Sequence, residues 1–473
     1  MKFTEYRSFD AIGLAGLVAK GSVTPGELLD AALERMVAVN PTLNALILNL
    51  EDQARAAIKT GLPDGPLKGV PYPIKDISVN MKGVPTGAGS RLFKNSVADA
   101  DSAIVSLYRA AGLSLFAKSN TPEFGLACVT EPVANGKTFN PWNRERTSGG
   151  SSGGAAAAVA SGIVPAAHGS DGGGSIRIPA SCCGLFGLKP SRGRVSLAPA
   201  GEGWGGLSVQ HALTRSVRDS ALLLDIACKP QPGDPYWLDP PATPFLDEVG
   251  KPPGKLRIAF TTSTLVHGET HAEPAKAVRE AAKLCQSLGH HVEEAKPAVD
   301  FLQMAVQANT LVTCAVAATL EREGERRGRP VTREEVEHLT WMIYENAAAF
   351  TGAKAAMALQ DLHALSRQLA QFFERFDVFL LPTLAKAPVP VGSIDTNAED
   401  MSGYAEALYS FIPNTQPFNI GGQPAMSVPL SWSDDGLPIG VQFVARAGAE
   451  ALLFRLAGQL EQAQPWFDRV APL

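Results

Sequence analysis

Between positions 148 and 174 the chain places nine glycines in 27 residues. They form two runs, Gly149-Gly150-Ser151-Ser152-Gly153-Gly154 and, further on, Gly169-Ser170-Asp171-Gly172-Gly173-Gly174, the second running straight into Ser175. Glycines in such loops reach backbone geometries closed to other residues. The intervening stretch reads as an alanine-rich helix over 155–162 and a strand over 163–168. A helix and a strand of that length can bring both loops to one edge of a sheet.

The rest of the pattern alternates strands and helices, which predicts an α/β layered fold rather than segregated domains. Strands are expected over 43–50, 69–79, 113–117, 256–261, 378–381, 425–430 and 439–445. Helices are expected over 25–40, 102–111, 273–289, 305–328, 333–354, 358–376 and 450–463. The first of these has Thr24 as cap, Pro25 in the first turn and Glu27 at the capping-box position. The strongest linker signal is the proline-rich stretch 230–253, although the late strands can still complete a sheet begun before it.

Composition removes several function classes. Only 19% of residues are charged and the net charge is −5, so a nucleic-acid-coating surface is excluded. The N-terminus carries Glu5 and Asp10 and shows no apolar leader segment. The apolar window 155–167 has thirteen residues, short of the roughly 20 of a membrane span, and reads as a buried element. The expectation is a soluble, cytoplasmic protein. The six cysteines form no CxxC pair, and adjacent Cys182 and Cys183 make a poor disulfide, so free buried thiols are expected. His267 and His271 lie four apart but lack the HExxH order, and no metal site is expected.

Three successive glycines before Ser175 can aim backbone N–H groups at one spot, as an oxyanion hole requires, beside a hydroxyl placed to attack a carbonyl. The plainer alternative is a glycine-rich turn with an incidental hydroxyl. A serine of the upstream loop, Ser151, could relay a proton, and the relay needs a base. His168 sits in an apolar strand and reads as a core residue or one supporting the site from behind. Lys75 stands alone in the apolar, proline-broken stretch 69–79, where burial would favour the neutral amine. Bringing its pKa from about 10.4 to about 8 costs roughly 3 kcal/mol, which burial can supply. The alternatives are an ion pair with Asp76 and a snorkelling surface lysine. Phosphate binding fails on register: Gly136-Lys137-Thr138 lacks its upstream glycine, since Glu131 stands there.

With these residues in hand the chain resembles the amidase signature family, nearly end to end. The resemblance rests on Thr147-Ser148-Gly149-Gly150-Ser151-Ser152-Gly153-Gly154, on Gly172 through Ala180, and on Cys183-Gly184 and Gly187-Leu188-Lys189-Pro190. Further blocks are Gly69-Val70-Pro71, Lys75-Asp76, Lys118 through Glu123, Asn140-Pro141-Trp142-Asn143, Pro417-Phe418-Asn419 and Gly436 through Gln442.

The resemblance implies a single large α/β/α domain, its mixed central sheet covered by helices on both faces. Spanning 1–473, it would comprise an N-terminal helical region (about 1–65), a signature core (about 66–225), a proline-rich excursion (about 230–253) and C-terminal helices and strands (255–473). It further implies a Ser–cis-Ser–Lys triad of Ser175, Ser151 and Lys75, with Ser151 following a cis peptide bond. The oxyanion hole would come from Gly172, Gly173, Gly174 and Ser175, with Ser152, Asp171 and Arg177 supporting the site. Gly172 stands where the family commonly has Thr, which puts one supporting hydrogen bond in doubt. Ile178 stands where tRNA-dependent glutamine-hydrolysing subunits carry Gln. That favours a free-standing amidase of aryl or apolar amides, with esters and carbamates within reach, over such an amidotransferase subunit. The region 311–352 resembles the branch of aryl acylamidases and nylon-oligomer cyclic dimer hydrolases. There Cys314 is a candidate for the substrate pocket, a core cysteine being the alternative. No cofactor is expected. The expected partner is a small-molecule amide, with no nucleic acid and no membrane, and homodimerisation is left open.

Overall fold

The computed structural model describes residues 3–472. Its centre is an eight-stranded mixed sheet in the order His291–Glu294, Arg257–Phe260, Val378–Pro382, Pro438–Ala445, Ala425–Trp432, Phe186–Lys189, Val209–Thr214 and Ala166–Asp171. The first three strands run parallel and every later pairing is antiparallel. Central strands such as Val378–Pro382, Pro438–Ala445 and Val209–Thr214 are buried at every position. A strand buried at consecutive residues is covered on both of its faces, which is the helix-on-both-sides arrangement of an α/β protein. Strands from before and after the stretch 230–253 share this sheet, so it is one α/β domain. The proline-rich stretch is tied to the body: Leu238 N–H donates to Gly193 O (3.0 Å) and Phe245 N–H to Asp225 Oδ1 (2.7 Å).

A second, three-stranded sheet carries Lys75. Its strand Pro71–Lys75 runs parallel to Ser114–Ser119, which pairs antiparallel with Leu46–Asn49. The prolines of Pro71-Tyr72-Pro73 cost this strand donors, which is tolerated because it lies at the sheet edge.

Several expected boundaries shift for local reasons. The helix expected over 25–40 runs Pro25–Leu43, with the Thr24–Glu27 capping box formed. The strand expected over 163–168 begins only after Pro165, at Ala166. The single helix expected over 333–354 is broken into a turn at Arg333–Glu335, a helix His338–Ala347 and the start of Gly352–Arg375. The break follows from capping: the Thr351 hydroxyl accepts from Lys354 N–H and starts a new helix there. The strands Phe186–Lys189 and Val209–Thr214, sixth and seventh in the sheet order, are absent from the expected set.

The helix Phe301–Arg327 is long and apolar enough, by length and composition, to cross a membrane, with a mean hydropathy of 1.4 over 18 residues. Gln303, Gln307 and Asn309 interrupt this longer stretch in the sequence. In the fold this helix packs Phe301, Met304 and Ala308 into a hydrophobic cluster with Leu362, Leu365 and Leu369 of Gly352–Arg375.

The helix His338–Ala347 is fixed by a buried carboxylate. Glu123 accepts from Glu337 N–H (2.7 Å), the Thr340 hydroxyl (2.6 Å) and the Ser90 hydroxyl (2.5 Å). Burial nevertheless pushes its pKa up to about 7 against those three donors.

Candidate active site

Three loops meet where the strands Pro71–Lys75 and Ala166–Asp171 end. Lys75 is the last residue of its strand and is fully buried. Successive side chains of a strand point to opposite sides, and here that separates Lys75 from its neighbour. Asp76 takes Lys118 as its partner, at 3.4 Å, and accepts from Gly87 N–H at 3.1 Å. Lys75 instead points Nζ at the Ser151 hydroxyl (2.7 Å) and the Ser170 hydroxyl (3.0 Å). Both alternatives raised for this lysine, the Asp76 ion pair and the solvent-reaching side chain, are thereby excluded. Burial lowers the Lys75 pKa to about 7, with the charge of Asp171 pulling weakly the other way.

Ser151 follows a cis Gly150–Ser151 peptide bond. Its loop is fastened at two points. The Thr130 hydroxyl donates to Gly149 O (2.9 Å) and accepts from Gly153 N–H (3.1 Å). Ser152 links the loop to the second one: its N–H donates to Ser175 O (3.2 Å), and its hydroxyl donates to Ser170 O (3.2 Å).

The second loop is organised by Asp171 and Arg177, both fully buried. Burial alone would raise the Asp171 pKa, but the Arg177 guanidinium holds the carboxyl well below the usual carboxylate range. Arg177 donates Nε to Asp171 Oδ2 (3.0 Å) and Nη2 to Asp171 Oδ1 (2.9 Å) and Asn419 Oδ1 (2.5 Å). Its Nη1 donates to Thr415 O (2.7 Å) and Gln442 Oε1 (2.8 Å). We expect Arg177→Met to leave Asp171 charged and unpaired in the interior. Urea unfolding should register a loss of about 3–5 kcal/mol.

Asp171 also corrects one expectation. Gly174 N–H donates to Asp171 Oδ1 (2.7 Å), so it is committed to the carboxylate and withheld from an oxyanion hole. The N–H groups of Gly172, Gly173 and Ser175 have no acceptor among the described residues. Gly174 serves the loop otherwise: its φ is +133°, and a Cβ there would lie 2.3 Å from Thr415 Oγ1, the hydroxyl that donates to Gly173 O.

His168 is fully buried, and burial lowers its pKa to about 3, so it is neutral. Its Nδ1 faces Lys75 N–H at 3.4 Å, which makes it a support behind the lysine. Ser170, Thr130, Thr415, Asn419 and Gln442 were assigned no role from sequence. Asn419 and Gln442 lie in blocks that carry the family resemblance, and that was the available signal.

Ser175 is half-buried at the junction of two cavities. A large one of about 490 Å³ is lined mainly by apolar residues, among them Ile178, Met342, Ile343, Phe350 and Leu408. A small one of about 110 Å³ lies on the Ser151 side, lined by loop residues between Leu197 and Gln210. The long helix contributes Asn309, Val312 and Thr313 to the large cavity; Cys314 is half-buried and is not among its lining residues. All six cysteines are free thiols. His267 pairs with Glu406 at 2.8 Å.

Comparison with known proteins fixes the class. The amidase family model matches residues 27–454. The chain is 40% identical over 474 residues to the 6-aminohexanoate-cyclic-dimer hydrolase of Paenarthrobacter ureafaciens, covering 97% of this chain and 96% of that protein. The solved structure of a 6-aminohexanoate cyclic dimer hydrolase with substrate superposes with a TM-score of 0.91 at 38% identity, over 98% of both chains. A bacterial aryl acylamidase of the amidase signature family superposes with a TM-score of 0.89 at 27% identity, over 98% of this chain and 99% of that one. The protein is thus a hydrolase of carbon–nitrogen bonds with an amide substrate. It belongs to the amidase family and has the amidase signature fold.

Proposed function

We propose that the chain hydrolyses carboxamides through an acyl-enzyme on Ser175, with Ser151 as proton relay and Lys75 as base. The observation that carries this reading is the 2.7 Å contact from Lys75 Nζ to Ser151 Oγ, made by an amine that burial holds near neutrality. Ser175 Oγ attacks the carbonyl carbon and gives its proton to Ser151, whose own proton passes to Lys75. The carbonyl oxygen, now anionic, is received by the N–H groups of Gly173 and Ser175. On collapse, Ser151 donates a proton to the departing nitrogen and is reprotonated by Lys75; the C–N bond breaks and the amine leaves. Water then attacks the acyl carbon by the same relay, releasing the acid and restoring Ser175.

The apolar lining of the large cavity supports aryl or apolar amides as substrates, and Ile178 on its wall disfavours the charged backbone of a free amino acid. The relatives named for a cyclic amide dimer and for aryl acylamides support the same class. The acyl chemistry extends to aryl esters and carbamates, because only the leaving group changes. We read the enzyme as cytoplasmic, acting on free small molecules. A fluorophosphonate probe tests the reading: its adduct, mapped by mass spectrometry, should lie on Ser175 alone. An adduct elsewhere, or equal labelling of Lys75→Ala at neutral pH, refutes it.

A further inference from the structure

The two cavities share three lining residues: Ser175, Gly125 and Trp204. Ser151 lines only the small one. Trp204 stands over the second glycine loop, and it can do so because residue 172 has no side chain. A Cβ on Gly172 would lie 2.7 Å from Trp204 Cζ3 and 2.8 Å from Cε3. The indole therefore occupies the space that a threonine would take at this position, which accounts for the departure noted in the sequence.

The loop bearing Trp204 is held firmly. Trp204 itself has a φ of +59°, a region that bulky side chains seldom adopt without surrounding support. Gly206 N–H donates to Glu202 Oε2 (2.6 Å), Arg192 Nε donates to Gly206 O (2.6 Å), and Ser208 N–H closes back on Gly203 O (3.1 Å). Leu207, three residues after Trp204 and inside the turn that Ser208 closes on Gly203, is buried in the hydrophobic cluster of the long helix, against which Trp204 also packs. The ring is thus a fixed wall.

We propose that Trp204 is the partition that determines specificity, confining the leaving amine to the small cavity and the acyl part to the large one. The assignment of sides rests on the reading above, in which Ser151 protonates the departing nitrogen, so the amine must lie on the side that Ser151 lines. The volumes then define the substrate class. About 110 Å³ corresponds to roughly four waters at ~30 Å³ each, room for a short chain or a single ring. About 490 Å³ of apolar surroundings accepts a long or branched acyl group. The enzyme selects amides of a compact amine with a bulky apolar acid.

The test uses two substrate series on the full chain: one acyl group with ammonia, methylamine, aniline and 2-naphthylamine, and one amine with acyl groups from acetyl to octanoyl. In the parent, kcat/KM should fall at least tenfold from anilide to naphthylamide and hold or rise along the acyl series. Trp204→Ala should recover at least tenfold on the naphthylamide relative to the anilide, while Trp204→Phe, which keeps a ring wall, retains most of the discrimination. Trp204→Leu gives the same readout should the alanine variant fail to fold, and fluorophosphonate labelling of Ser175 checks that each variant keeps its site. A labelled variant with an unchanged amine series, or one broadened only in the acyl series, overturns the partition. Absence of Ser175 labelling in the parent overturns the catalytic reading instead.

Discussion

Ser175→Ala is expected to lower kcat/KM for a reactive anilide by about 10⁴- to 10⁶-fold while leaving the fold intact. The structural cost should be small because Ser175 is half-buried and its hydroxyl has no hydrogen-bond partner among the described residues, so the substitution strands no buried group. Ser151→Ala differs in kind. It removes the nearer acceptor of a fully buried amine, leaving Lys75 with Ser170 alone, and should depress turnover by about 10³-fold or more. If the two serines form one relay, the double variant should be no slower than Ser175→Ala, since a chain broken at one link is not broken further at the next. Multiplicative losses in the double variant would refute the single relay, and Ser175→Ala turnover above about 1% of the parent would remove Ser175 from the chemistry.

What the sequence disclosed about this site follows from chemical isolation. Ser175 after three glycines, and Lys75 as the one amine in an apolar strand, are conspicuous because nothing nearby explains them. The eight-stranded α/β domain was legible in the same way, since Val378–Pro382 is an uninterrupted apolar run and Pro438–Ala445 is broken only by Gln442. By contrast, Val209–Thr214, reading VQHALT, mixes Gln and His with apolar residues yet is buried throughout. Its polar side chains are admitted by tertiary neighbours, such as the Ser220 hydroxyl 2.8 Å from His211 Nε2, and no local pattern encodes those. The same holds at the site. That Gly174 N–H is spent on Asp171 depends on a side-chain rotamer, and that Trp204 stands over Gly172 joins two loops about thirty residues apart. Adjacent Lys75 and Asp76 looked like partners in sequence; the strand pleat sends them to different ones.

The pH dependence should belong to Lys75. With its pKa lowered to about 7 by burial, the amine is protonated below that pH and unable to accept the proton of Ser151. The pH profile of kcat/KM, which reports free-enzyme groups, should therefore rise tenfold per unit below about pH 6 and level off above about pH 8. Of the neighbouring groups, Asp171 stays ionised well below this window and His168, lowered to about 3, stays neutral, whereas Glu123, pushed up to about 7 by burial, titrates within it from behind the helix His338–Ala347. Lys189 is a further competitor, because burial lowers its pKa to about 7 as well, but its amine donates to Pro190 O and not to either serine. Lys75→Met should reduce turnover by about 10³- to 10⁴-fold and flatten the profile, whereas Lys189→Met should leave the rise in place. In the Lys75→Met variant stability should move opposite to activity. The folded state binds fewer protons than the unfolded chain between pH 7 and the ordinary lysine value of 10.5, so stability rises with pH through that interval, and the cost of burying the amine is greatest below pH 7. Lys75→Met removes that cost and should stabilise the protein at pH 6 by about 2–4 kcal/mol once the lost hydrogen bonds are subtracted, with a smaller gain at pH 10. A variant that is nearly inactive yet unfolds at higher urea is what a base held neutral at the expense of the fold requires. A variant equally inactive but destabilised at pH 6 would mean that Lys75 is stabilised where it lies, and the base would have to be sought elsewhere.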